Sequence, residues 1–365
     1  MALEIIQIVP RLPPTISGVG DYAYLLAREL RERHEIHTRF IVCDTDWSGG
    51  DTLNTFSVQK LKAPRSDELL RCLLGSGMPN IVLLQYVGYG YERRGCPTWL
   101  VNALQEWRRS CGARRLIIMF HELYAFGPPW RSSFWASPLQ RWIAAQFAKL
   151  ADRCVTNLRR YGQWLGAREP RHFNHILAMP VFSNLGEQSE HDLVESRPPN
   201  MIIFGSAQWV KDLLGQHREK TLKCAQALGL QQLITVGSPV GTVPPRFPVP
   251  IKEHGQVDAS IIAKLMRSSR VGLTDYFPGH LAKSGVFAAY AAFGLVPVLP
   301  RLNRSELDGC VAGETYLVPE QISTSGPATT VQKVADNARK WYQEHNLNRT
   351  TDAYADLIRE SVLTC

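Results

Sequence analysis

Lys283 and Ser284 are the residues around which chemistry can first be built. They sit in the run Tyr276 to Arg301, YFPGHLAKSGVFAAYAAFGLVPVLPR, in a loop that also offers the backbone around Gly285. The small, apolar stretch from Gly285 to Gly294 predicts a helix, whose first amides and positive dipole end favour an anion such as a phosphate. Gly294 is placed to end that helix. LVPVLP then reads as a short buried parallel strand, despite Pro297, which cannot donate to a ladder. Loop, helix, tight turn and strand in that order are the grammar of an α/β protein.

A second set of candidates lies near the N-terminus. LEIIQIVP predicts a first central strand, and the proline-rich segment after it leads to Ser17-Gly18-Val19-Gly20 and an amphipathic helix. Gly18 and Gly20 permit a tight turn and close backbone approach, with Val19 between them, although G-x-G at such a turn is also ordinary turn chemistry. HEIHTRFIVCD and NIVLLQYVGYGY give two further strands, with a helix in RSDELLRCLLG between them. Gln85 and Tyr86 end the later strand, where open α/β sheets place ligands. Arg93 and Arg94 follow, free to meet an anionic acceptor or simply to be solvated.

The strand in RRLIIMFHEL delivers His121 and Glu122 to the same edge of the sheet. An imidazole there can donate or accept a proton near neutral pH. Beyond it, Trp130, Phe134, Trp135 and Trp142 alternate with Arg131 and Arg141, a pattern suited to stacking on a sugar, to a lipid interface, or to a core helix in PLQRWIAAQFAKLA. In the second half, MIIFGSAQWVK reads as a strand and a loop carrying Gly205, Ser206 and Lys211. LITVGS, DASIIAKLMRSS and VGLTDY continue the βα order.

Together these segments resemble family 4 glycosyltransferases of the GT-B type. AAFGLVPV is similar to that family's A-x-G-x-P-V, Gly18-Val19-Gly20 followed by Y-x-x-L-A-x-x-L to its glycine loop, and His121-Glu122 to its strand-ending His-Asp or His-Glu. The resemblance implies two Rossmann-like domains facing a cleft, with residues 1–185 on the acceptor side, a linker over 186–200, a donor domain over 201–340, and a C-terminal helix over 341–365 that crosses back. It implies transfer of a sugar, such as a hexose, from a nucleotide-diphosphate donor to an acceptor hydroxyl, with retention and without a cofactor; no Asp-x-Asp suited to a metal is evident, since Asp44-Thr45-Asp46 falls in a loop far in sequence from the lysines, so metal independence is expected. In that reading His121 and Glu122 are catalytic, Gly18, Val19, Gly20, Ser206, Lys211, Lys283, Ser284 and Gly285 hold the donor, and Gln85, Tyr86, Arg93, Arg94 and Trp130 meet a glycan, lipid-linked or small-molecule acceptor. Two departures stand out. Leu281 and Ala289 occupy the positions of the family's two glutamates, no Asp or Glu occurs from Tyr276 through Ser305, and Ser206 stands where the family has a diphosphate-binding arginine.

Composition sets the remaining bounds. The 365 residues, 45% hydrophobic and 20% charged, are enough for two cores. The net charge of +8 lies mostly before residue 190; it suits a nucleoside diphosphate or an acidic membrane face, and is too interspersed with acids for nucleic acid. No long apolar run or leader pattern is seen, so a cytoplasmic location is expected, with peripheral contact at the inner membrane face left open. Eight scattered cysteines without a C-x-x-C pair favour reduced thiols. The competing class is a binding protein that keeps the fold without turnover. A nicotinamide oxidoreductase fits less well, because SGVGDYA puts Ala23 where a dinucleotide loop has its third glycine.

Overall fold

The computed structural model describes residues 3–75, 77–172, 176–188, 192–237, 247–303, 305–322 and 328–363. The chain divides into two compact units, Met1–Pro180 together with Leu347–Cys365, and Val181–Asn346. Unit 1 contains β1 Leu3–Val9, α1 Gly18–His34, β2 Ile36–Val42, β3 Thr52–Leu53, β4 Phe56–Lys60, α2 Ser66–Leu73, β5 Ile81–Tyr86, α3 Gly88–Tyr91, α4 Thr98–Arg109, β6 Arg115–Phe120, α5 Ser132–Leu150, β7 Arg153–Thr156, α6 Arg159–Arg168 and β8 Ile176–Ala178. Unit 2 contains β9 Asn200–Gly205, α7 Ala207–Leu214, α8 Arg218–Ala227, β10 Gln232–Gly237, β11 Ile251–Glu253, α9 Ala259–Arg267, β12 Val271–Leu273, α10 Gly285–Ala292, β13 Val296–Val298 and α11 Ala328–Gln343; α12, Leu347–Leu363, returns to unit 1.

Each unit is built on a parallel sheet. The strand order is β3-β4-β2-β1-β5-β6-β7-β8 in unit 1, where only the β3–β4 pair is antiparallel, and β11-β10-β9-β12-β13 in unit 2. Central strands covered on both faces bury every side chain, and β5 is buried along its whole length, Gln85 included. Pro297 is tolerated because β13 is an edge strand, where its carbonyl still accepts from the Leu317 amide at 2.9 Å.

The resemblance to two Rossmann-like domains holds, with differences in detail. Residues 186–200 do not form a linker: Val194 is buried in the unit 2 core, its amide donates to Gln332 Oε1 at 2.8 Å, and Arg197 reaches Ser269 O. Their polar composition hides one apolar anchor. Residues 189–191 of that segment lie outside the described residues. The C-terminal segment 341–365 is two elements, the end of α11 and then α12, which packs on α1 with the Tyr354 and Tyr22 hydroxyls 3.4 Å apart. α5 begins at Ser132, ahead of Pro138, which reads from sequence as a helix start but lies inside the helix.

Candidate active site

In unit 1 the candidates gather at the ends of β1, β5 and β6. His121 follows β6 and is 7% exposed. Its Nε2 is 2.8 Å from Gln85 Oε1, and Gln85 Nε2 donates to Gln7 Oε1 at 3.1 Å. Because Gln85 spends its amide N–H on Gln7, its oxygen is the acceptor for the imidazole, which places a histidine proton on Nε2. The Tyr22 ring meets His121 edge-on at 5.1 Å, and Asn157 Nδ2 donates to the His121 carbonyl at 3.2 Å. The imidazole is therefore fixed by three strands and a helix.

Gln85 thus positions His121 rather than facing an acceptor. Tyr86, on the opposite face of the strand, is fully buried against Phe120 and Phe147, so its expected acceptor contact is replaced by a core role. Glu122 is partly exposed and lines a shallow recess with Tyr89, Tyr124 and Gln140. Gln140, which the sequence reading passed over, ties two functional loops together: its Oε1 accepts from the Ala125 amide at 2.7 Å and its Nε2 donates to the Arg94 carbonyl at 2.8 Å. Arg93 and Arg94 stand exposed on the second of these loops, and Trp130, 83% exposed, lies just before α5.

The glycine segment does not precede α1; it is its first turn. Ser17 caps the helix by accepting from the Gly20 amide, so Gly18 is already helical. The two glycines differ in kind. A Cβ on Gly20 would lie 2.4 Å from the Arg11 carbonyl oxygen, so this glycine serves the packing of the proline-rich segment, whereas a Cβ on Gly18 would meet nothing within 4 Å. Gly18 is exposed, and Val19 beside it is half-buried.

Asp21, in the same turn, was also missed. Burial pushes its carboxyl up to about 6, against a backbone hydrogen bond at Ser17 that pulls it down. An acid in a glycine loop, G-V-G-D, is the signal that could have found it. Since the folded state binds this proton more tightly than the unfolded chain does, Asp21 stabilises the fold at low pH and loses that contribution as pH rises through about 6. Asp21→Asn is expected to match the wild type near pH 4 and to exceed it above about pH 7, by on the order of 1–2 kcal/mol. Thermal melts of both proteins at the two pH values check this, and an equal difference at both would contradict it.

In unit 2 two helix starts repeat the serine device. Ser206 caps α7 by accepting from the Trp209 amide, and Ser284 caps α10 by accepting from the Phe287 amide. Capping by Ser206 moves Lys211 off the expected loop and into α7, where its side chain is exposed. Lys283 ends a short 3-10 turn, Pro278–Lys283, immediately before α10, and Gly285 opens that helix with free space where a Cβ would stand. Tyr290, fully buried on α10, locks the helix to the sheet: its hydroxyl accepts from the Phe204 amide at 3.0 Å and donates to the Leu273 carbonyl at 3.1 Å. Gly272 on β12 makes room for that ring, since a Cβ would come within 2.6 Å of three of its atoms.

The same edge of this sheet holds a charged group that sequence spacing did not reveal. Arg301, just past β13, grips the buried Asp275, just past β12, with Nε–Oδ1 at 2.8 Å and Nη2–Oδ2 at 3.1 Å. His217 Nε2 is 3.5 Å from Asp275 Oδ1. The pair raises the guanidinium pKa through the hydrogen bond to Asp275, while about half of the arginine side chain stays exposed. Gly205 and Gly237 end neighbouring strands in register, and the Trp209 ring covers Gly205, where a Cβ would come 2.5 Å from it. A Cβ on Gly237 would sit 2.0 Å from the Gly205 carbonyl oxygen. Among the described residues no group of three or more His, Cys, Asp or Glu is arranged to hold a metal ion.

No protein-family profile matches the sequence, and no curated protein is similar to it at a significant level. Solved structures do match. An α,α-trehalose-phosphate synthase (UDP-forming) from Burkholderia xenovorans, in complex with glucose-6-phosphate, superposes with a TM-score of 0.62 at 13% identity, over 98% of this chain and 100% of that one. An α-glucosyltransferase in complex with UDP-glucose and DNA gives 0.59 at 12% identity, over 98% and 99%. A Listeria monocytogenes protein assigned as a UDP-N-acetylglucosamine 2-epimerase gives 0.59 at 13% identity, over 99% and 98%. The chain therefore has the fold of these proteins, the GT-B arrangement of two Rossmann-like domains.

Proposed function

We propose that the protein is a glycosyltransferase that moves a sugar, a hexose in the simplest case, from a nucleoside-diphosphate donor to an acceptor hydroxyl, with retention, as in family 4. The observation that carries this reading is the set of cations and capped helix starts past the strands of the unit 2 sheet. There Lys283 and the capped start of α10 are suited to the phosphates of a nucleotide, and Arg301, half exposed just past β13 and paired with Asp275, adds a second cation. Arg301 supplies the guanidinium that Ser206 does not, and Lys211 adds a further cation on α7. Preorganised positive groups of this kind stabilise the departing diphosphate, commonly the largest catalytic contribution. The charge is supplied by the protein, so no metal or cofactor enters the scheme.

The acceptor side belongs to unit 1. His121, held by Gln85, is the group we assign to the transferring sugar, with Glu122, next to it in sequence, and Asp21, next to the Tyr22 that packs on it, as the accompanying carboxyl groups. A carboxyl titrating at about 6 is poised to exchange protons near neutral pH. The similar proteins with solved structures include a synthase, a glucosyltransferase and an epimerase, so the fold leaves the reaction open and the transfer reading rests on the residues. The lack of acids from Tyr276 through Ser305 favours a second reading, in which a nucleotide sugar is bound without turnover.

A thermal-shift panel of nucleoside diphosphates and their sugars, followed by product analysis with the ligand that binds, separates the readings. A ligand at about 100 times its dissociation constant stabilises the fold by roughly 2.7 kcal/mol. Stabilisation with sugar transfer supports the enzyme. Stabilisation without turnover over a broad acceptor panel supports the binding protein, and no stabilisation by any member removes both.

A further inference from the structure

The surface of unit 1 around α5 is more apolar than a solvated face requires. Phe126 is 65% exposed, Trp130 83%, Trp135 73% and Trp142 49%, with Phe134 and Leu139 also exposed. On α5 these residues share the outward side of the helix, while Ile143, Ala144 and Phe147 fill the core side. The outward side of the helix is therefore apolar from Phe134 to Trp142, which solvent alone does not reward.

The charges around this patch are mostly of one sign, with Glu92 and Glu122 at its edge. From Leu123 to Leu150 the chain has Arg131, Arg141 and Lys149 and no Asp or Glu. Gln140 fastens the loop bearing Arg93 and Arg94 against the same helix. Arg141 stacks over Tyr124 at 4.4 Å, and the Trp135 indole donates to the Pro129 carbonyl at 2.8 Å, so the loop carrying Trp130 is held in place by the helix.

We infer that this face docks on an anionic lipid bilayer, with the tryptophan and phenylalanine rings inserted at the headgroup boundary and the arginines on lipid phosphates. Indole rings favour that boundary, and basic residues near it add affinity for acidic lipids. A second copy of the chain is a poorer occupant. A symmetric pair would press the patch against itself and set arginine against arginine. No described helix is long and apolar enough to cross a membrane, so the contact is one of surface docking.

The test is co-sedimentation of the full chain with vesicles of mixed phosphatidylglycerol and phosphatidylcholine, and with vesicles of phosphatidylcholine alone, without donor or acceptor, so that the result is independent of the transfer reading. The acidic vesicles are expected to bind at least about tenfold more tightly, and the difference to shrink with added salt. The double variant Trp130→Ser, Trp142→Ser is expected to lose about tenfold or more of that binding while keeping the wild-type melting temperature. Arg131→Glu, which leaves every ring in place, is expected to weaken binding to the acidic vesicles alone. Wild-type protein that stays in the supernatant, or a folded double variant that binds undiminished, overturns the inference. A wild type that is dimeric in solution and becomes monomeric in the double variant overturns it in favour of contact between copies.

Discussion

His121→Ala is expected to lower turnover per folded molecule by roughly 10²-fold or more, the scale on which a side chain positioned to accept or pass on a proton acts in a transition state. Affinity for the nucleoside diphosphate should be nearly unchanged, because the groups proposed to hold it belong to unit 2. An interaction made mainly in the transition state appears in kcat, and ground-state binding survives its removal. The variant also leaves Gln85 Oε1 buried without the imidazole, which costs about 1–3 kcal/mol of stability. Kinetics must therefore be scaled to the folded fraction, measured by a melt of the same sample. Normal turnover on that scale, with lowered stability, would make His121 a structural residue only.

Arg301→Ala is expected to weaken nucleoside diphosphate binding by about 1.5–3 kcal/mol, roughly 10- to 150-fold, as loss of a charge-assisted contact does. It also strips a buried carboxylate of its bidentate partner. The stability cost should fall in the same range, below the 3–5 kcal/mol (about) of a fully buried pair, since the arginine is half exposed. Asp275→Asn separates the two effects: it keeps the guanidinium and removes the competing carboxylate, so stability should fall while binding holds or tightens. The double variant Lys211→Ala, Lys283→Ala should weaken binding on the Arg301→Ala scale at little cost in melting temperature, because both side chains are at least partly solvated. Calorimetry that finds nucleotide affinity untouched in both Arg301→Ala and the lysine pair would remove the proposed diphosphate site.

The fold was legible because its signals are local. Continuous apolar runs become strands buried on both faces, and Ser17, Ser206 and Ser284 each stand one residue before a helix. The site was harder to read because its logic is not local. Asp275 and Arg301 meet only when β12 and β13 lie side by side, and Gln140 joins two loops from the middle of a helix. Tyr86 misled for a related reason: in a strand wholly buried, alternation gives no hint of which side chain faces a ligand and which the core. Gln85 and Tyr86 are neighbours in sequence and point to opposite faces.

Because α12 belongs with α1 although the whole of the second unit lies between them in sequence, unit 2 is topologically an insertion into unit 1. Val181–Asn346 is one unbroken span that can close its own sheet and core as soon as it has been made. The first unit, begun earlier, waits with one flank of α1 uncovered until the chain has been synthesised past Tyr354. The order of completion on the ribosome is thus the reverse of the order of synthesis. A nick or early stop near the C-terminus would injure the half of the protein that lies farthest from it in sequence.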